Sequence, residues 1–319
     1  MSLFDIFKIF DIFHPLEAER LHTEMSFVYS PHYNLPLEKS VEPASKFMKL
    51  YELVLYDMDF RNYHIYEPQR ANRNDLELIH STEYLDDLFS LKRTDKNKYS
   101  ELPLNHKILE SFLYSVGGTI FATKQTEKDQ FVYNLGGGFH HAFRDKAEGF
   151  CYFNDVAVAA QKYLNTNPNK KVLIIDLDVH QGNGTSKIFQ NNASVFTFSI
   201  HQENLYPKKE KSTLDIGLKD YCNDSEYLRL LKESLTSIEK EIQPDLIYYL
   251  AGADPYEGDR IGGLKVSING LYKRDVMVKE FAIEHDCKVV IVTAGGYAMN
   301  FHDTVTIHYN TARAFAVKY

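Results

Sequence analysis

The sequence predicts an α/β fold: an open, mainly parallel sheet with helices on both faces, in a single domain. Two observations carry that expectation. Short β-branched and aromatic runs alternate with helix-length stretches, the order that yields parallel strands joined by crossover helices. One run, Val172-Leu173-Ile174-Ile175, is unbroken apolar, as a strand covered on both faces must be. Strands are expected at 27–29, 130–135, 171–179, 195–200, 246–252 and 289–296, each ending in turn residues. Helices are expected at 43–58, 81–91, 104–126, 154–165, 225–242 and 270–285. Polar stretches at 92–98, 165–171 and 207–212 read as surface loops, not domain linkers.

The 319 residues are 44% hydrophobic and 25% charged, the composition of an ordinary globular protein. A net charge of −8 argues against direct nucleic-acid binding, which needs clustered Lys and Arg. The cysteines, Cys151, Cys222 and Cys287, are odd in number and far apart, which fits neither a disulfide framework nor a Cys-rich zinc site. A reducing, cytoplasmic setting is expected, since the N-terminus lacks a signal-peptide layout.

Residues 1–25 read as an apolar extension, with the folded domain at 26–319. From Leu3 to Phe13 two apolar residues and one polar residue repeat, a period of three that leaves a helix greasy over most of its girth. Docking on its own domain or a sister subunit is favoured over membrane contact through 3–13. No stretch reaches the ~20 apolar residues of a membrane span.

In open parallel sheets, sites gather where the chain leaves the C-terminal strand ends. Four expected strand ends carry His, Asp or Tyr beside glycines: Gly136 to His141, Asp176 to Gly184, Gly252 to Asp254, and Gly295-Gly296-Tyr297. Asp178 and His180 are two apart, so extended backbone would put them on one face. Alone, such a pair is more often a strand-end cap beside a satisfied histidine. With Asp254 it could complete a three-ligand metal site. His140 and His141 offer a base with an acid or electrostatic partner, and Asp176 is placed to orient His140. Tyr297 could donate its hydroxyl to an oxyanion.

Together these stretches resemble the histone deacetylase family, more closely its class IV (histone deacetylase 11-like) branch. The likeness runs from about Phe27 to Tyr297 and adds Val28 to Pro31, Glu148 to Cys151, Leu205-Tyr206-Pro207 and Gly252 to Gly263 to the motifs above. It implies the arginase/deacetylase-like fold, with 26–319 as the catalytic domain. It also implies one zinc ion on Asp178, His180 and Asp254, with His140 and His141 as the catalytic pair and Tyr297 polarising the amide carbonyl. Phe150 and Tyr206 would wall the lysine tunnel, with the Gly149 carbonyl meeting the substrate nitrogen. Asp176, Asp178, His180, Ser199 and Ile200 resemble the family's structural potassium site. The implied partner is an acylated lysine of a protein or peptide. The oligomeric state is not readable.

Departures are informative. Asn183 stands where many relatives have Asp behind the second histidine; the neutral amide should leave His141 easier to keep neutral. Class IV shares that Asn. Ala294 opens the tyrosine motif where many relatives have Gly, and the family's acidic rim residue has no evident counterpart. The class IV likeness implies long acyl chains over acetyl. Alternatives are an acetylpolyamine or other small-amide hydrolase, and a non-catalytic metal-stabilised interaction protein. A dinuclear manganese hydrolase of the arginase kind fits less well, because Tyr256, Gln181 and Asn183 are not the ligands a second metal needs.

Overall fold

The computed structural model describes residues 25–34 and 45–316. The apolar segment at 3–13 and the start of the helix expected at 43–58 lie outside these residues. The eight described strands form one sheet in which every neighbouring pair is parallel. In chain order they are β1 (Met25–Val28), β2 (His64–Tyr66), β3 (Phe131–Asn134), β4 (Val172–Asp176), β5 (Val195–Gln202), β6 (Leu214–Leu218), β7 (Leu246–Leu250) and β8 (Lys288–Val292). Across the sheet they run β2-β1-β3-β8-β7-β4-β5-β6.

Strand alternation sorts side chains onto two apolar layers. Leu173 and Ile175 of β4 and Val289 and Ile291 of β8 join one layer, under helices α1 (Lys46–Tyr56), α7 (Asp224–Glu241), α8 (Ile268–Glu284) and α9 (Phe301–Ala316). Val172 and Ile174 with Val290 and Val292 join the other, under α3 (Thr82–Phe89), α4 (His106–Gln125) and α5 (Asp155–Thr166). Each fully buried side chain of this size contributes about 1.5–3 kcal/mol. Helix starts follow cap chemistry: Ser81, Asn105, Asn154, Asn223 and Ser267 each accept a backbone N–H of the first turn, which is why the expected and observed starts agree closely.

The expected strands at 171–179 and 289–296 are too long. β4, β7 and β8 stop pairing together at Asp176, Leu250 and Val292, and Ala294 then turns into left-handed backbone at φ 58°. Two edge strands were not expected. β2 is three residues and half exposed, so it shows no alternation; β6 alternates but contains Gly217. The short helices α2 (Arg73–Glu77) and α6 (Asn183–Phe189) and the long α9 were also unexpected. In α9, Thr, His and Asn interrupt the apolar face and lower helix propensity. Among the described residues no helix is long and apolar enough to cross a membrane.

The chain builds its first wing, β1 to β3, then crosses to β4 through β6 and returns through β7 and β8 to close the middle. The four central strands, β3-β8-β7-β4, are those whose ends carry the candidate site residues. That is where a parallel sheet opens a crevice.

Candidate active site

Asp178 and His180 reach a common point through a turn, not through strand alternation. The Asp178 carboxylate accepts the His180 backbone N–H at 2.9 Å, and His180 Nδ1 lies 3.1 Å from the same oxygen. Asp254, at the end of β7, brings Oδ2 to 3.4 Å from His180 Nδ1. One donor atom from each of the three buried residues lies within 4.8 Å of the others, a spacing that can hold a metal ion. Asp254 Oδ1 accepts the Val179 N–H at 2.8 Å, whereas Oδ2 is buried with no hydrogen-bond partner. Gly295 donates its N–H to Asp178 Oδ2, and a Cβ there would lie 2.2 Å from Asp254 Oδ2 and 2.5 Å from Asp178 Oδ2. Only glycine closes the back of this group.

The electrostatics point the same way. Burial, and then the Asp178 charge, push the Asp254 carboxyl up to about 7. Burial opposes a charge on His180, but the Asp178 carboxylate at 3.1 Å and the Asp254 carboxylate at 3.4 Å outweigh it and raise the imidazole to about 10. Two buried carboxylates thus draw a proton to the histidine between them. A cation at the same point would satisfy both carboxylates and leave His180 neutral.

His140 and His141 follow the glycine run after β3. His140 Nδ1 is 2.7 Å from Asp176 Oδ2, and its Nε2 is 3.1 Å from His141 Nε2. Burial opposes the His140 charge, yet Asp176 and Asp178 raise the group to about 9. His141 Nδ1 lies 2.8 Å from Asn183 Oδ1. Asn183 turns its oxygen to the ring because its amide nitrogen donates to Glu148 at 3.1 Å. Burial, then the charges of His140 and His180, hold His141 well below its ordinary value. The neutral ring therefore keeps Nδ1–H on Asn183 and a lone pair on Nε2.

A histone deacetylase domain matches residues 40–312, which include every one of these side chains. The chain belongs to the histone deacetylase family. It is 38% identical over 284 residues to an uncharacterised protein of Picosynechococcus, covering 88% of this chain and 95% of that one. It is 32% identical to histone deacetylase 2 of Arabidopsis thaliana, over 86% of this chain and 75% of the plant protein. It is also 28% identical to human histone deacetylase 1, of which it spans about half, 54%. As a histone deacetylase-family chain it is a hydrolase acting on amide bonds, with the arginase/deacetylase fold.

In this histone deacetylase fold a cavity of about 240 Å³ leads to the Asp178–His180 group. Phe150 and Tyr206 line it, with Tyr206 standing 5.5 Å from the His141 ring and Phe150 6.2 Å from that of Tyr297. Gly149 and Phe150 are both left-handed, and a Cβ on Gly149 would meet His141 at 2.4 Å. The Gly149 carbonyl accepts the Cys151 thiol at 3.1 Å. Tyr297 is buried, with its backbone held by Asp259 and Arg260: its N–H donates to Asp259 at 2.7 Å, and Arg260 Nε donates to its carbonyl at 2.9 Å. Pairing of β4 with β5 sets Asp176 opposite Ser199, beside Ile200, although the Ser199 hydroxyl already bonds His201.

Two charged residues of the cavity lining carry no sign in the sequence. Glu101, left-handed at φ 60° and exposed, supplies an acidic side chain to the lining where none could be placed. Lys46 is buried against the tyrosine loop, its ammonium 2.8 Å from the Ala294 carbonyl and 5.5 Å from the Tyr297 ring centre. Both are isolated positions with no spacing signal.

Proposed function

We propose that this chain is a zinc-dependent lysine deacylase of the class IV kind, hydrolysing the amide of N-ε-acyl-lysine in proteins or peptides. The observation that carries the reading is the convergence of the Asp178–His180–Asp254 group, the His140–His141 pair and Tyr297 on one cavity. Two carboxylates and one imidazole are a donor set suited to zinc, and the buried Asp254 Oδ2, which makes no hydrogen bond, supports it. When bound, zinc supplies Lewis acidity to the carbonyl and acidifies water.

The lysine methylenes lie between Phe150 and Tyr206, and the Gly149 carbonyl accepts the scissile amide N–H. Glu101 takes the rim role, gripping substrate backbone. His141, neutral and oriented by Asn183, takes a proton from the attacking water at Nε2 and returns it to the leaving amine. His140 stays charged against Asp176 and stabilises negative charge beside it. Tyr297 donates its hydroxyl to the oxyanion. Asp176, Asp178, His180, Ser199 and Ile200 supply a structural potassium site. Residues 26–319 form the catalytic domain, the preferred acyl group is long-chain, and the setting is cytoplasmic.

The test pairs Tyr297→Phe with a substrate series. The variant should retain zinc and lose about 10²–10³ in kcat. Undiminished turnover would remove the tyrosine from the mechanism. Myristoyl-lysine peptide should be cleaved faster than acetyl-lysine peptide; faster cleavage of acetylated polyamines than of either would move the assignment to small-amide hydrolysis.

A further inference from the structure

Directly beneath the candidate metal group, α8 carries a charged pair into the apolar interior. Arg274 and Asp275 are both completely buried. Arg274 Nη1 donates to the Gly252 carbonyl at 2.6 Å and the Leu177 carbonyl at 3.3 Å. Its Nε donates to Asp275 at 2.9 Å, and Nη2 lies 2.8 Å from the same oxygen, close enough to pair but not aligned as a hydrogen bond. The Tyr249 and Thr311 hydroxyls also donate to the Asp275 carboxylate, fixing it from β7 and α9.

The two carbonyls on Arg274 have a particular address. Leu177 precedes Asp178, and Gly252 stands two residues before Asp254. The last ladder bond between these loops is Leu177 N–H to the Leu250 carbonyl at 3.2 Å, and past it the Val179 N–H donates to Asp254 at 2.8 Å, so Arg274 adds a third tie on the buried side of the same loops. They are packed so closely that a Cβ on Gly252 would sit 2.7 Å from the Asp178 Cα. Well-packed apolar groups can usually replace a buried ion pair with no loss of stability. A planar donor whose Nη1 bridges both loops while Nε is held by Asp275 does what an apolar side chain cannot: it sets a distance.

We propose that Arg274 is a positioning residue for metal binding, its guanidinium clamping Leu177 and Gly252 so that Asp178 and Asp254 stand at ligating separation. The inference rests on the reading of Asp178, His180 and Asp254 as metal ligands. Asp275 anchors the clamp, and Thr311 steadies the anchor.

The experiment titrates zinc into the metal-free full chain against a chromophoric chelator, with urea unfolding of the same metal-free samples. Arg274→Lys keeps the charge, but a single ammonium cannot hold Asp275 and reach both carbonyls from the places that Nε and Nη1 occupy. Zinc affinity should fall about 10–100-fold, the usual effect of losing a group that orients ligands. Val278→Ala, a core change on the same helix, controls for generic loosening. It should lower the urea midpoint and leave zinc affinity unchanged. Wild-type zinc affinity in Arg274→Lys overturns the clamp, as does an equal loss in Val278→Ala. If Arg274→Lys does not fold, Thr311→Val decides: a weakening of about threefold or more supports the clamp, and no change rejects it. A wild-type chain that takes up no zinc overturns the metal reading itself, and the clamp with it.

Discussion

His140 and His141 are adjacent, equally buried, and in opposite protonation states. The first faces the last residue of β4, where the Asp176 carboxylate is 2.7 Å away; the second faces the start of α6, where the Asn183 amide is 2.8 Å away. Both suffer desolvation, which disfavours the imidazolium. Only His140 has a carboxylate in hydrogen-bond contact to overcome it, and its charge then depresses its neighbour further. The hydrogen-bond distances are alike. Charge on the partner separates an imidazole that holds its proton from one that gives it up.

Removing that charge should have the largest effect. Asp176→Asn keeps the shape but lets His140 lose its proton, and kcat should fall about 100-fold. Steady-state kinetics with metal content held equal would check this. Unchanged kcat would mean that the charge on His140 does not matter.

A third histidine, His80, is buried with no carboxylate and no second imidazole bonded to it. His80 has backbone partners only: Nδ1 donates to the Phe143 carbonyl at 2.9 Å, and Nε2 accepts the Asn154 N–H at 3.1 Å. Burial lowers it to about 4. Since the folded value lies below the unfolded one, this neutral histidine contributes stability above about pH 6.5. That contribution is lost as pH falls towards 4, by up to about 3 kcal/mol. Urea unfolding of wild type and His80→Gln between pH 7 and 4 reads the difference. Wild type should lose stability more steeply, and equal slopes would show that His80 is not held neutral.

The converse substitution is expected to be the mildest. Asn183→Asp gives His141 a carboxylate, raises its affinity for a proton and moves the acid limb of kcat/KM to higher pH. At pH 7 activity should drop up to about tenfold and recover on raising the pH. A profile superimposable on wild type would dissociate His141 from the base role.

The strand ends were legible because polar residues and glycines interrupt apolar runs there, as at Gly136 to His141 and Asp176 to Gly184. Their meeting across β3-β8-β7-β4 was inferable only as a rule of parallel sheets. How Asp178 and His180 converge was misread, because a turn and not the pleat brings them together. Lys46, Glu101 and Arg274 were unreadable for another reason. Each acts through one long side chain from an element distant in sequence, so no local pattern marks it. The edge strand β2 lacks the apolar contrast that betrays buried strands.

The strand order has a consequence for how activity arises during synthesis. β8, the last of the described strands to be made, fits between β3 and β7. Until it slots in, the segments bearing His140 and Asp254 have a gap between them and Tyr297 has no seat. A nascent chain halted before Lys288 would carry both histidines and all three candidate ligands yet have no assembled centre. Competence should therefore switch on in a single late step.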